Sequence, residues 1–250
     1  GAGGWRIDTA AALTGGLRDT LAEAALLARP SSYADAAAAG HSADPARFAP
    51  RDRAALEADI ARGYTVLPLK TIIKALKTGE GLPQRAVAIT LEGGWKSTLQ
   101  NAVPVLQQAN MPFTLFYASD MADNSQPSHM TWKDLKALRK NKLADLGILP
   151  ASYTHMAQQT PEKNAEIINR AVSRYRAEFG ENPQFFSYPY GEYSGEVRKQ
   201  VAEYNFDAAF SQQSGVAYAG GDFMTLPRFI MTDTFGDLDR FMLTASALPL

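Results

Sequence analysis

Short continuous apolar runs alternate with stretches in which apolar residues recur every three or four positions, and this alternation sets the first expectation for the fold. Ala-Val-Ala-Ile-Thr-Leu, within 85–91, is too short for a buried helix and runs directly into Gly93-Gly94, so it reads as a central parallel strand buried on both faces. Phe113 to Ala118 reads the same way, and Phe185 to Tyr188, Ala208 to Ser211 and Met224 to Phe229 are further strand candidates. Tyr64 to Leu69 is a shorter one. Between them, Leu99, Val103 and Leu106 share one side of a helix expected over Thr98 to Asn110. Helices are also expected over Leu69 to Lys77, Trp132 to Lys140 with Thr131 as N-cap, Thr160-Pro161 to Phe179, and Gly195 to Tyr204.

The region before residue 64 is patterned differently. Ile7, Leu13, Leu17, Leu21 and Leu26 recur at mixed steps across Gly15 and Gly16, which predicts a broken helix over Trp5 to Ala28. Pro30 to Pro50 is rich in Ala, Ser, Asp and Pro and reads as a linker. Leu56 and Ile60 mark an amphipathic helix over Asp52 to Arg62, stopping at Gly63. A small N-terminal helical and loop appendage, expected over 1–45 where the family resemblance set out below does not reach, thus precedes a larger domain over 46–250. Repeated strand–helix units over the latter predict an α/β class fold, with parallel strands in a barrel or sheet wrapped by helices.

Composition narrows the function. The 250 residues, 46% hydrophobic and 10% aromatic, supply a large core. A net charge of −1 with no long basic run excludes nucleic acid as an expected partner. No apolar stretch approaches the roughly 20 residues of a transmembrane helix, and Gly1 to Trp5 lack a signal-peptide layout, so the chain reads as soluble and already trimmed. With no cysteine there is neither a disulfide framework nor a thiolate metal site.

In parallel α/β folds chemistry gathers where strands run into their following loops. That rule selects Thr90 to Trp95, Ala118 to Asp123, Leu146 to Met156 and Ser187 to Tyr193. Read together, Ala-Ile-Thr-Leu-Glu-Gly-Gly-Trp (88–95), Pro-Phe-Thr-Leu-Phe (112–116), Met-Thr-Trp (130–132), Phe-Phe-Ser-Tyr-Pro-Tyr-Gly-Glu-Tyr-Ser (185–194) and Leu-Pro-Arg-Phe (226–229) resemble the polysaccharide deacetylase family of NodB-homology carbohydrate esterases. The resemblance runs from about Phe48 to the last residues. It implies a distorted (β/α) barrel of about seven parallel strands and, in usual members, metal-dependent removal of an acetyl group from a sugar polymer. There one Asp and two His hold the ion, a second Asp is the base and a His the acid.

Against that pattern the chain departs at several positions. Glu92 stands where the base belongs, and Gly93 stands where the Asp ligand belongs. The histidine pair falls either on Leu149 and Tyr153 or on Ala151 and His155, and the chain's three histidines, His41, His129 and His155, supply no pair at that spacing. Ser187 replaces an arginine that orients the base, and no histidine follows His155. The resemblance thus implies a degenerate member with no metal and no other cofactor. Such a chain is a pseudoenzyme that binds a polysaccharide or a partner of the cell envelope, with Glu92 as a relic base. The alternative is an active deacetylase that uses Glu92. Trp95, Tyr153, Tyr188, Tyr190 and Tyr193 are candidates for stacking on sugar rings, with His155 and Asp120 as polar groups of the same cleft. Asp123 is either another such group or a helix cap. The resemblance also implies a place outside the cytoplasm, and the N-terminal extension is a candidate docking element for an envelope assembly.

Overall fold

The computed structural model describes residues 6–7, 65–83, 86–108 and 110–230. The helices expected within Trp5 to Ala28 and Asp52 to Arg62 and the linker at Pro30 to Pro50 lie outside those residues, apart from one short piece. Arg6–Ile7 is a two-residue strand, β1, pairing in parallel with Val87 and Ala88, where the sequence pattern had suggested helix.

The remaining strands are β2 (Thr65–Val66), β3 (Ala86–Glu92), β4 (Phe113–Tyr117), β5 (Ala144–Ile148), β6 (Phe185–Ser187) and β7 (Ala208–Phe210). All pair in parallel in the order β1-β3-β4-β5-β6-β7, with β2 also paired to β3. The helices are α1 (Leu69–Thr78), α2 (Val103–Gln108), α3 (Ser119–Asp123), α4 (Trp132–Arg139), α5 (Pro161–Phe179) and α6 (Gly195–Ala202). This is a curled parallel sheet with helices, a half-barrel.

The continuous apolar character of the strands follows from burial on both faces. Ile89 and Leu91, then Leu115 and Tyr117, then Leu146 and Ile148, point one way into a core shared with Leu106, Leu135, Leu138, Ile167 and Ile168. The alternate residues Ala86, Ala88, Phe116, Phe185, Ala208 and Phe210 point inward. There they meet Leu69, Ile72, Ile73 and Leu76 of α1, which fills the concave side of the sheet. The period of two along each strand therefore assigns every side chain to the helix side or to the interior.

Local chemistry explains the element boundaries. Thr131 caps α4 in a reciprocal box with Asp134. Thr160 caps α5, Pro161 takes its first turn, and Gly180, at φ 75°, ends it. Four expectations required revision. The helix from Thr98 begins as a wide π turn over Thr98–Ala102, in which the Val103 N–H bonds to Thr98 O. Pro104 has no N–H to offer Gln100, and the wider turn accommodates its ring. Strand β5 was not anticipated, because Asp145 and Gly147 dilute its β-forming residues. Tyr64 to Leu69 gives only Thr65–Val66, since Leu69 already belongs to α1. Met224 to Phe229 is not a continuous strand: it makes isolated bridges, a parallel one from Leu226 to Phe210 and another at Phe229. Pro227 cannot donate to a ladder and stops it there.

Candidate functional site

The inward period of two along β3 and β6, together with the irregular segments after Phe210 and Leu226, carries four polar groups to the mouth of the half-barrel. Glu92 continues the series Ala86, Ala88, Thr90. Ser187 follows inward Phe185, Gln212 follows Phe210, and Arg228 follows Leu226. They converge on the Glu92 carboxylate. Its Oε2 accepts from Ser187 Oγ at 2.7 Å and from Arg228 Nη2 at 2.9 Å. Its Oε1 accepts from Tyr153 OH at 3.1 Å and from Gln212 Nε2 at 3.2 Å. Arg228 Nη2 also donates to Ser187 Oγ at 2.7 Å, and its Nε donates to Ser211 O at 2.8 Å. The guanidinium lies over the adjacent rings of Phe116 and Phe210, 5.6 and 5.8 Å from their centroids. The Glu92 and Arg228 side chains are only 17% and 6% exposed, so this is a buried ion pair.

Arg228 and Gln212 were not singled out by sequence reading. The arginine missing at position 187 has a counterpart from a different segment: Arg228 pairs with Glu92, with Ser187 as the bridge. The motif Leu-Pro-Arg-Phe contains it, but the segment is irregular, so no strand period aims Arg228 at Glu92.

The loop after β3 decides whether this site fits the ion that the family resemblance implies. Gly93 has φ 110°, a region that favours glycine. A Cβ built there would lie 2.3 Å from Trp95 Nε1 and 2.8 Å from its Cδ1. The indole occupies the space a ligand side chain would need. Trp95 is itself held: it bridges to His129 across an antiparallel pair, their rings are 3.7 Å apart, and Gly94 O accepts from Met130 N–H at 2.7 Å. Burial pushes His129 down to about 4, so its imidazole is neutral at ordinary pH.

Neither alternative for the histidine pair supplies two imidazoles. Leu149 and Ala151 are wholly buried apolar residues. Tyr153 spends its hydroxyl on Glu92 and on the Tyr190 N–H. His155 Nδ1 lies 2.8 Å from Glu192 Oε2. Among the described residues no cluster of three or more His, Asp or Glu side chains is placed to hold an ion. The described residues do not fit the family's metal.

The other candidates divide. Tyr188 faces the helix side, as the residue after inward Ser187 must; it is fully buried and donates to Met224 O at 2.8 Å. Tyr193 packs on Tyr188 at 5.2 Å, partly buried against the same core. Tyr188 presents no ring to the mouth, contrary to expectation, while the partly buried Tyr193 donates to Gln213 Oε1 at 3.5 Å. Trp95 also has a ring face engaged by His129. Asp120 is a tie between elements rather than a cleft group: it pairs with Arg170 Nε and Nη2, both at 3.0 Å, and accepts from Ser152 Oγ at 2.6 Å. Asp123 binds Trp132 Nε1 and Arg174. Tyr153, His155 and Tyr190 do come together, beside Glu92.

Burial alone would raise the Asp120 carboxyl, but the hydrogen bonds from Arg170 and Ser152 outweigh it and hold the group below the usual carboxylate range. A depressed folded-state value means stability present above the unfolded value, about 3.9, and lost as pH falls through the folded one. Asp120→Asn should therefore flatten part of the acid limb of a urea-midpoint profile measured downward from about pH 5. Asp222, lowered chiefly by its hydrogen bonds from Arg198, keeps the remainder.

A parallel half-barrel that directs a carboxylate and a Pro-Tyr-Gly turn to the C-terminal ends of its strands places the chain among α/β-barrel proteins with a site at the strand mouth. The chain belongs to the polysaccharide deacetylase family, whose model matches residues 79–209. It is 23% identical over 215 residues to the poly-β-1,6-N-acetyl-D-glucosamine N-deacetylase of Escherichia coli K12, an alignment covering 68% of this chain and 31% of that protein. The chain thus spans about a third of the length of that curated relative. The structure resembles the Streptococcus pyogenes deacetylase PplD, solved with acetate, with a TM-score of 0.66 at 16% identity over 74% of this chain and 81% of that one. IcaB from Ammonifex degensii gives 0.65 at 19% identity, over 74% and 83%. These likenesses establish the fold. Among the described residues no helix is long and apolar enough to cross a membrane.

Proposed function

We propose that this chain binds an acetylated polysaccharide of the poly-N-acetylglucosamine kind, at or outside the cell envelope, without metal-dependent deacetylation. The observation that carries this reading is the Trp95 indole lying over the α-carbon of Gly93. A missing ligand could in principle be replaced by a neighbour, but here the space itself is filled. The carboxylate beside it is also engaged, because Glu92 accepts four hydrogen bonds, one of them from a buried guanidinium. A base must take a proton from water, and an anion so fully paired is a poor acceptor for a fifth donor. The substrate class follows from the family and from the polymer named for the Escherichia coli relative.

The test uses the purified chain and β-1,6-linked N-acetylglucosamine oligomers. Calorimetry should show saturable binding, and acetate release with added zinc, cobalt or nickel should not exceed that of Glu92→Gln. Release that depends on Glu92 and disappears on chelation would restore the alternative, an active deacetylase with Glu92 as base.

A further inference from the structure

The Pro189–Gly191 turn holds an exposed tyrosine in an unusual backbone conformation. Tyr190 has φ 58° and ψ 6°, a left-handed conformation that side chains rarely adopt, and it is 42% exposed. The turn imposes this conformation. Gly191 follows at φ 68° with its α-carbon against Gln212, where a Cβ would come within 2.3 Å of the Gln212 Cβ. The Tyr190 N–H then donates to Tyr153 OH at 3.1 Å, which ties the turn to the hydroxyl that also binds Glu92. Strain of this kind costs on the order of 1–3 kcal/mol, and it persists where surrounding contacts fix it for a purpose.

Those contacts build a small aromatic stack. The His155 ring lies parallel to Tyr190, with centroids 4.1 Å apart and planes 9° from parallel. Tyr153 meets Tyr190 at 4.6 Å and 62°. Glu192 fixes the imidazole through Nδ1, and the His155 and Glu192 side chains are 43% and 53% exposed. The result is a pre-set apolar surface with a carboxylate at its rim, beside the barrel mouth. A pyranose has the complementary chemistry: a C–H face for a ring and hydroxyls for a carboxylate.

We propose that the His155–Tyr190 stack, rimmed by Glu192, is the surface on which a neutral sugar ring of the polymer rests. This rests on the proposed function and narrows it. Of the five aromatic candidates, it assigns ring contact to Tyr190, supported by Tyr153. His155 becomes a contact residue rather than a metal ligand.

Binding of a β-1,6-linked N-acetylglucosamine oligomer by calorimetry tests it, with thermal melts as the folding control. Tyr190→Gly is the informative variant, because glycine adopts φ 58° without penalty and removes only the ring. It should weaken binding about tenfold, the effect of losing roughly 1.4 kcal/mol of ring contact. His155→Ala should weaken binding similarly. Tyr190→Phe, which keeps the ring, should bind nearly as the unmodified chain does, and so should Tyr218→Ala, at an exposed tyrosine on another loop. Unchanged affinity in a folded Tyr190→Gly overturns the inference alone. Absence of binding by the unmodified chain overturns the proposed function, and this inference with it. Should Tyr190→Gly not fold, unchanged affinity in folded His155→Ala is equally decisive.

Discussion

Arg228→Met should lower folding stability by about 3–5 kcal/mol, the largest effect expected of any single change at the site. The magnitude comes from what is left behind. Removing the guanidinium strands the Glu92 carboxylate, 17% exposed, with only neutral donors, and leaves Ser187 without its second partner. Glu92→Leu should be about as damaging for the mirror reason: a guanidinium held against Phe116 and Phe210 loses its counter-ion. The double variant should recover much of the loss, because replacing both members of a buried pair by apolar groups is often near neutral. It should not recover all of it, since Tyr153 and Gln212 lose an acceptor. Urea unfolding with an unchanged slope is the measurement, and a double-mutant cycle isolates the coupling. Additive single effects would mean that the pair is not a unit.

Gly93→Asp restores on paper the carboxylate that usual family members use, yet it should destabilise the chain by about 2–4 kcal/mol and create no metal site. A side chain at φ 110° is strained, and its first carbon collides with the Trp95 indole. Trp95→Gly in the same background should relieve the collision but not the backbone term. Zinc provides the readout apart from activity: a site with a dissociation constant 100-fold below the zinc concentration would raise stability by about 2.7 kcal/mol. We expect no rise in the thermal midpoint of Gly93→Asp. A clear zinc-dependent rise would remove the main support for the proposed function.

These two cases show what the sequence could and could not reveal. The doubly buried strands were legible because a run such as Ala86 to Leu91 has no polar face to turn outward. The capped helices α4 and α5 were legible because Thr131, Thr160 and Pro161 each have one local role. Strand β5 was not, because its pairing on both flanks, rather than its composition, makes it a strand. Gly93 as a missing ligand could be read directly, while the indole filling its space depends on contact with the 128–130 loop. Arg228 is instructive because the motif containing it was noticed, but its place beside Glu92 depends on an irregular segment that only the fold brings there. Tyr188 shows a different error: a position near a strand end was taken as a position at the mouth, although the pleat sends Tyr188 to the helix side.

The family model begins at residue 79 and ends at 209, but the helix that fills the concave face of the sheet ends at Thr78, and Leu226 and Arg228 lie beyond the other limit. What is recognisable by descent is therefore narrower than what is physically self-sufficient. A fragment cut to the recognisable span would leave Ala86, Phe116, Phe185 and Ala208 facing water and Glu92 without its cation, so cloning boundaries for this chain belong upstream of Pro68 and downstream of Phe229.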